Sequence, residues 1–239
     1  MTTPWWESPL VGFDLETTGP DPDSARIVTA CVVIERPDGF HEVDGPITLT
    51  WLVDPGVEIP EGATAVHGVT TGHARENGQS ARAAVARILE VLRAQTYPFV
   101  AFNAAFDFTV LDREARRHGL LPLAPEPVVD PFVLDKQADR YRRGGRKLVD
   151  VAAHYGVDLT AAHTADADAL AAVQVARAIG RKHQPPADAM ALHLGQIAWR
   201  RQQCESLQDY LRTHKDHTAV VDPTWPVHPY EDAALGVTP

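Results

Sequence analysis

The stretch VGFDLETTG, residues 11–19, decides how this chain is read. Val11, Phe13 and Leu15 alternate with Gly12, Asp14 and Glu16, the period of two that marks a strand with one apolar face. Asp14 and Glu16 then point the same way, about 7 Å apart along the chain. Two carboxylates so placed repel each other and resist burial unless a positive group joins them. The strongly apolar opposite face makes a chance placement of both acids a poor explanation.

The rest of the sequence bounds what that group serves. With 239 residues, 44% of them hydrophobic and 23% charged, the chain suits one substantial core and a small appendage. No apolar run approaches the roughly 18 residues of a membrane span, and MTTPWWESPL lacks a basic-then-apolar export signal. Cys31 and Cys204 are too few and too far apart for a disulfide framework or a zinc site, so a reducing cytoplasm is the expected compartment. The net charge of −10 argues against a general nucleic-acid coat, which would be basic throughout. It leaves room for an enzyme that grips a polyanion locally through metal ions. RYRRGGRK, residues 140–147, breaks the acidic trend with five cations and no acid; such a run is either a solvated loop or a backbone contact.

Strands are expected at the opening stretch, at 26–36 and at 46–53, giving a β-meander. Helices then alternate with short strands. Residues 80–95 show helical spacing through Ala84, Ile88 and Leu92 behind a Ser80 N-cap. A strand at 98–103 leads into a helix at 104–119 that ends on Gly119. A short strand at 127–130 precedes helices near 131–140, 146–155 and 165–182. The expected architecture is α/β, a mixed sheet flanked by helices. From Gln184 the character changes to a long helix, roughly 187–213, with Leu192, Ile197, Trp199, Leu207 and Leu211 as its apolar candidates, and then a tail rich in Pro and Trp. The expected division is 8–183 and 184–239.

Further acids complete the pattern of the opening stretch. With Asn103 as N-cap, Asp107 falls on the first turn of its helix. With Thr164 as N-cap, His163 precedes the cap and Asp168 is the fourth helical residue, positions that meet in space. A single acid in a first turn is explained by the helix dipole. Four acids and one His, each beside a strand end or helix start, are not explained one at a time. Oxygen-only ligation suits Mg²⁺ or Mn²⁺, and paired ions about 4 Å apart serve in-line phosphodiester displacement.

These residues resemble the DEDDh 3′–5′ exonucleases, and in particular the proofreading (epsilon) subunit type of bacterial DNA polymerase III. FDLETTG resembles the first motif of that family, NAAFD the second and HTADAD the third. AVHGVT (65–70) and KLVDVAAHYGV (147–157) are similar to its substrate-channel element and its helix before the third motif. The resemblance covers about residues 10–182. It implies a ribonuclease H-like core with a mixed five-stranded sheet; the C-terminal helical extension, residues 184–239, lies outside the resemblance, which assigns it no role. It further implies two Mg²⁺ or Mn²⁺ ions held by Asp14, Glu16, Asp107 and Asp168, with His163 as general base. Thr17, Thr18 and Gly19 would face the terminal nucleotide and His67 would line its pocket. Asn103 and Phe106 belong to the expected substrate contacts, as do Arg142, Arg143 and Arg146 of the basic run. Phe102 stands where the family often has His.

The expected activity is release of nucleoside monophosphates from the 3′ end of single-stranded DNA. The alternatives are the same chemistry on RNA, or a non-catalytic, polymerase-associated binding subunit. Proofreading would require a DNA polymerase in trans, since no polymerase domain is fused. A dehalogenase-type phosphatase needs Asp where Glu16 stands and fits poorly.

Overall fold

The computed structural model describes residues 3–37, 45–159 and 164–230. Three long strands, β1 (Leu10–Thr17), β2 (Ile27–Glu35) and β3 (Ile47–Asp54), form the expected antiparallel meander. Among the described residues the sheet has six strands, not five, in the order β4-β3-β2-β1-β5-β6. The additional strand, β4 (Gln79–Ser80), pairs in parallel with the end of β3 and is too short to leave an alternating pattern. β5 (Phe99–Val100) and β6 (Val128–Val129) extend the other side in parallel with β1.

Alternation along β1 divides the core in two. Val11, Phe13 and Leu15 pack with α3 (Ala81–Arg93) and α4 (Ala104–Arg117), where Phe13 stacks on Phe108 at 5.4 Å. Leu10 and Val100 pack on the opposite face with α6 (Leu148–Tyr155) and α7 (Ala165–His183). Asp14 and Glu16 share the parity of Leu10 and so belong to the α7 side.

The seat of α7 on this face is unusually close. A Cβ on Gly12 would lie 2.8 Å from the Ala169 carbonyl oxygen and 2.9 Å from Val173 Cγ2. The helix approaches with Ala165, Ala169, Ala172 and Ala176, which keep its buried surface shallow. Glycine in β1 and alanines in α7 thus set the distance between the two elements.

Two short helices, α1 (Glu61–His67) and α2 (Thr71–Asn77), stand between β3 and β4, where the sequence reading placed no element. α5 (Pro131–Ala138) starts on Asp130, whose side chain accepts from Phe132 N–H. The long helix is α8 (Ala189–His214), capped by Asp188. It lies along the outer edge of β6 with polar side chains. Val128 N–H donates to His193 Nδ1 at 3.0 Å, Asp130 N–H donates to Gln196 Oε1 at 2.8 Å, and Gln196 Nε2 donates to the Val128 carbonyl at 2.8 Å. Gln196 therefore takes the place of a neighbouring strand and closes an edge that would otherwise expose backbone groups. Leu192 and Trp225 join the two cores, so the described residues beyond 183 pack into the same body as the sheet. Leu207 is exposed rather than packed.

Gly12→Ala is expected to force β1 and α7 apart and lower stability by about 1–3 kcal/mol, the usual range for overpacking a tight core. Urea denaturation at fixed pH measures it, with the wild-type slope retained.

Candidate active site

Strand β1 runs past its parallel neighbour. Pairing with β5 ends at Gly12–Val100, and beyond it the inner edge of β1 is open. Asp107, buried on the first turn of α4, fills that gap: its Oδ1 accepts the Leu15 N–H at 3.1 Å. Asp14, Glu16 and Asp168 each bring a carboxylate oxygen to within 4.8 Å of one another. Asp168 is delivered by the close seat of α7, whose N-cap is Thr164 as expected.

The electrostatics follow from this crowding. Burial, and then the charges of Asp107, Asp168 and Glu16, hold the Asp14 carboxyl well above the usual carboxylate range. Asp107 is raised chiefly by burial, against the lowering effect of the Leu15 N–H. Glu16 is pushed from 4.5 to about 7 by burial first and Asp168 second. A group of carboxylates under mutual repulsion, offering oxygen donors only, fits hard divalent cations.

A cleft of about 480 Å³ opens beside the cluster, walled by Glu16, Thr17–Gly19, His67 and Phe106. The Thr17 hydroxyl donates to the Gly19 carbonyl at 2.9 Å, and a shift in the β1–β2 register at Glu16/Thr17 turns this loop out of the sheet. Val69 N–H donates to His67 Nδ1 at 3.2 Å, which places the proton of the neutral ring on Nε2. Burial lowers the pKa of His67, so it is a neutral donor at pH 7. A second cleft of about 360 Å³ shares Glu16 and His67 and reaches Thr50 and Trp51 of the meander. Glu16 thus stands between two open grooves.

The remaining expected residues fall elsewhere. Asn103 lines neither cleft; it occupies the left-handed conformation (φ 65°, ψ 48°) that turns the chain from β5 into α4, a conformation Asn tolerates better than most residues. Arg142 and Arg146 face inward, donating to the same oxygen of buried Asp135 at 2.9 and 2.6 Å. Their first role is therefore internal ion pairing, whereas Arg143 is exposed. His163 lies outside the described residues.

One part of the site was missed in the sequence. Asp130, 1% exposed, accepts from Asn103 N–H and Ala104 N–H, both at 3.0 Å, and from the Trp225 indole at 3.2 Å. It fixes the strained turn that aims α4, and with it Asp107, at β1. The one sequence signal was Asp130-Pro131, an N-cap followed by proline at the first helical position.

Residues 11–176 match the exonuclease family, RNase_T, and the chain belongs to that family. It is 32% identical over 181 residues to an uncharacterized exonuclease, CP81, of Escherichia phage 186, a match covering 69% of this chain and 84% of that protein. E. coli Exonuclease I, in complex with a dA16 oligonucleotide, superposes with a TM-score of 0.62 at 19% identity over 84% of this chain and 45% of its own. A further Exonuclease I structure gives a TM-score of 0.65 at 19% identity, covering 84% and 46%. The chain spans less than half the length of Exonuclease I, and at this identity the likeness is one of fold.

A carboxyl with a raised folded pKa holds its proton in the folded state after the unfolded chain has lost it. Its contribution is present below the unfolded pKa and lost as pH rises through the folded one. The metal-free protein should therefore become less stable between pH 4.5 and about 7, the window set by Glu16. Mg²⁺ or Mn²⁺ should flatten that fall. Melting temperatures across the window, in chelator and in each cation, measure both effects.

Proposed function

We propose that the protein is a DEDDh-type 3′–5′ exonuclease that removes nucleoside monophosphates from the 3′ end of single-stranded DNA. The observation that carries this reading is the convergence of Asp14, Glu16 and Asp168 within 4.8 Å, with Asp107 anchored on Leu15 beside them. Membership of the exonuclease family supports the hydrolytic class. The oligonucleotide complexes of Exonuclease I support a single strand as substrate.

Asp14, Glu16, Asp107 and Asp168 would hold two divalent ions, Mg²⁺ or Mn²⁺, which supply charge neutralisation at the scissile phosphate and lower the pKa of the attacking water. The neighbouring cleft receives the terminal nucleotide. There the apolar wall, Leu15 and Phe106, takes the base, and the His67 Nε2–H and the Thr17–Gly19 loop offer polar contacts. His163, which directly precedes the α7 N-cap in sequence, would accept the proton of the attacking water, a task suited to an imidazole, whose ordinary pKa is near neutral. Arg143 meets the strand backbone together with whichever donors of Arg142 and Arg146 Asp135 leaves over. Residues 8–183 form the nuclease domain, and the segment from 184 serves as its buttress. Among the described residues no helix is long and apolar enough to cross a membrane, in keeping with work in the cytoplasm. A proofreading role would pair it with a DNA polymerase.

Asp14→Asn should abolish turnover of an end-labelled single strand while the metal-free protein melts no lower than wild type. Activity within about tenfold of wild type would remove the carboxylate cluster from the chemistry. Equal-length RNA serves as the competing substrate, and preferential release from RNA would reassign the enzyme to exoribonuclease work. His163→Ala should lose about a hundred- to ten-thousandfold in turnover, the range for general-base help, with metal affinity kept. The rise of rate with pH near neutrality should vanish in that variant; if the rise persists, His163 is not the base.

A further inference from the structure

A groove of about 530 Å³ lies between the end of α5, the basic loop and α8, apart from the carboxylate cluster. One wall presents Lys136, Arg140 and Tyr141, the other Ser206, Leu207 and Tyr210, and no carboxylate among the described residues lines it. In a chain of net charge −10 this is a local inversion of sign. Its chemistry is equally specific. Tyr141 is 85% and Tyr210 51% exposed. The Arg140 guanidinium lies 5.7 Å from the centre of the Tyr141 ring and donates to Ser206 Oγ at 3.2 Å, bridging the walls. Beneath them Arg142 and Arg146 share one oxygen of Asp135, so two guanidinium charges meet a single carboxylate and positive charge is left over.

The groove lies one short helix away from the turn that aims α4. Lys136 Nζ sits 3.9 Å from the centre of the Phe132 ring, and Phe132 packs at 5.6 Å on Phe102, the residue before the Asn103 turn. α5 has eight residues and is about 12 Å long, so the groove begins roughly that far from the Asn103–Asp130 junction.

We propose that this groove binds the part of a single-stranded nucleic acid that lies upstream of the terminal nucleotide. Bases stack on Tyr141 and Tyr210, and phosphates meet Arg140 and Lys136. Exposed aromatic rings beside cations in an open trough are the recognition chemistry of a single strand whatever its sequence. An acidic peptide would satisfy the cations but leave the rings unused. The proposal rests on the exonuclease reading only for the direction of the strand.

The test compares the full-length wild type with an Arg140→Ser/Tyr141→Ala double variant, none of whose changes touches the carboxylate cluster. Binding of a labelled oligothymidylate of about sixteen nucleotides, followed by anisotropy in chelator, should weaken about tenfold or more, as loss of one stacked base and one phosphate contact implies. The slope of log affinity against log salt should become shallower by about 0.7. Turnover of a trinucleotide with Mg²⁺ should stay within about twofold of wild type, since so short a strand occupies only the site cleft. Tyr210→Ala, on the other wall, repeats the length dependence and serves alone should the double variant melt early. Unchanged oligothymidylate affinity and salt slope, an equal loss on the trinucleotide, or displacement of the strand by an acidic peptide at equal charge would each overturn the proposal. A wild type that binds the strand through the groove yet hydrolyses nothing would uphold it and overturn the exonuclease reading instead.

Discussion

The contact of α7 with β1 at Gly12 is the constraint from which the site follows. A strand normally stands off a helix by the length of its side chains. Here the missing Cβ and the alanine face of α7 bring backbone against backbone, and Asp168 arrives beside Asp14 and Glu16. Without that approach the two β1 acids would keep more water and titrate nearer their ordinary values. With it, the charge of Asp168 raises the proton affinity of both Asp14 and Glu16. Van der Waals packing thus holds charges where electrostatics alone would separate them, which is the condition a cation site needs before its cation arrives.

The opposite side of the cluster is held by hydrogen bonds. Asp107 reaches β1 because α4 begins abruptly after β5, through an Asn in the left-handed region. That turn is retained by Asp130, which spreads its two oxygens over the Asn103, Ala104 and Phe132 N–H groups and the Trp225 indole. Three N–H donors and an indole are enough to keep a carboxylate at 1% exposure in place, and leaving any of them unmade costs more than the bond itself is worth. The buttress extends outward through Gln196 and His193 of α8. A segment far from the acids in sequence therefore stiffens the element that carries one of them.

These two supports differ in how visible they are in the sequence. The β1 alternation, the meander and the N-caps at Asn103 and Thr164 are local patterns, and each falls where periodicity puts it. α1, α2 and β4 are not, because seven-residue helices and a two-residue strand are below the length at which period separates from chance. α8 is legible as a helix but not as an edge cover, since its contacts with β6 come from His193 and Gln196, which an apolar-stripe reading assigns to solvent. Leu207 fails for the converse reason: it has the right spacing but no partner on that side. The acids of the site are legible because several carboxylates in one place contradict ordinary burial. Asp130 is hidden because a helix-capping aspartate looks the same whether or not a second layer of structure depends on it.

Charge counting misleads in a similar way. Many of the arginines are engaged within the fold: Arg113 with Asp23 and Asp112, Arg177 with Glu35, Arg142 and Arg146 with Asp135. Where one charge meets one, as in Arg177 with Glu35, the pair adds little field outside the molecule because each charge is matched at contact distance, whereas Arg142 and Arg146 share a single carboxylate. What a polyanion meets at long range is the acidic balance of the whole chain, screened beyond about 10 Å at ordinary salt. Attraction must then act at short range, from cations whose partners leave them incompletely neutralised and from any ions the carboxylates hold. Binding that depends on such local contacts selects for a strand already lying against the surface. On the proposed exonuclease reading it would favour ends and flexible single strands, which can follow a groove past an acidic surface, over rigid duplexes, which cannot.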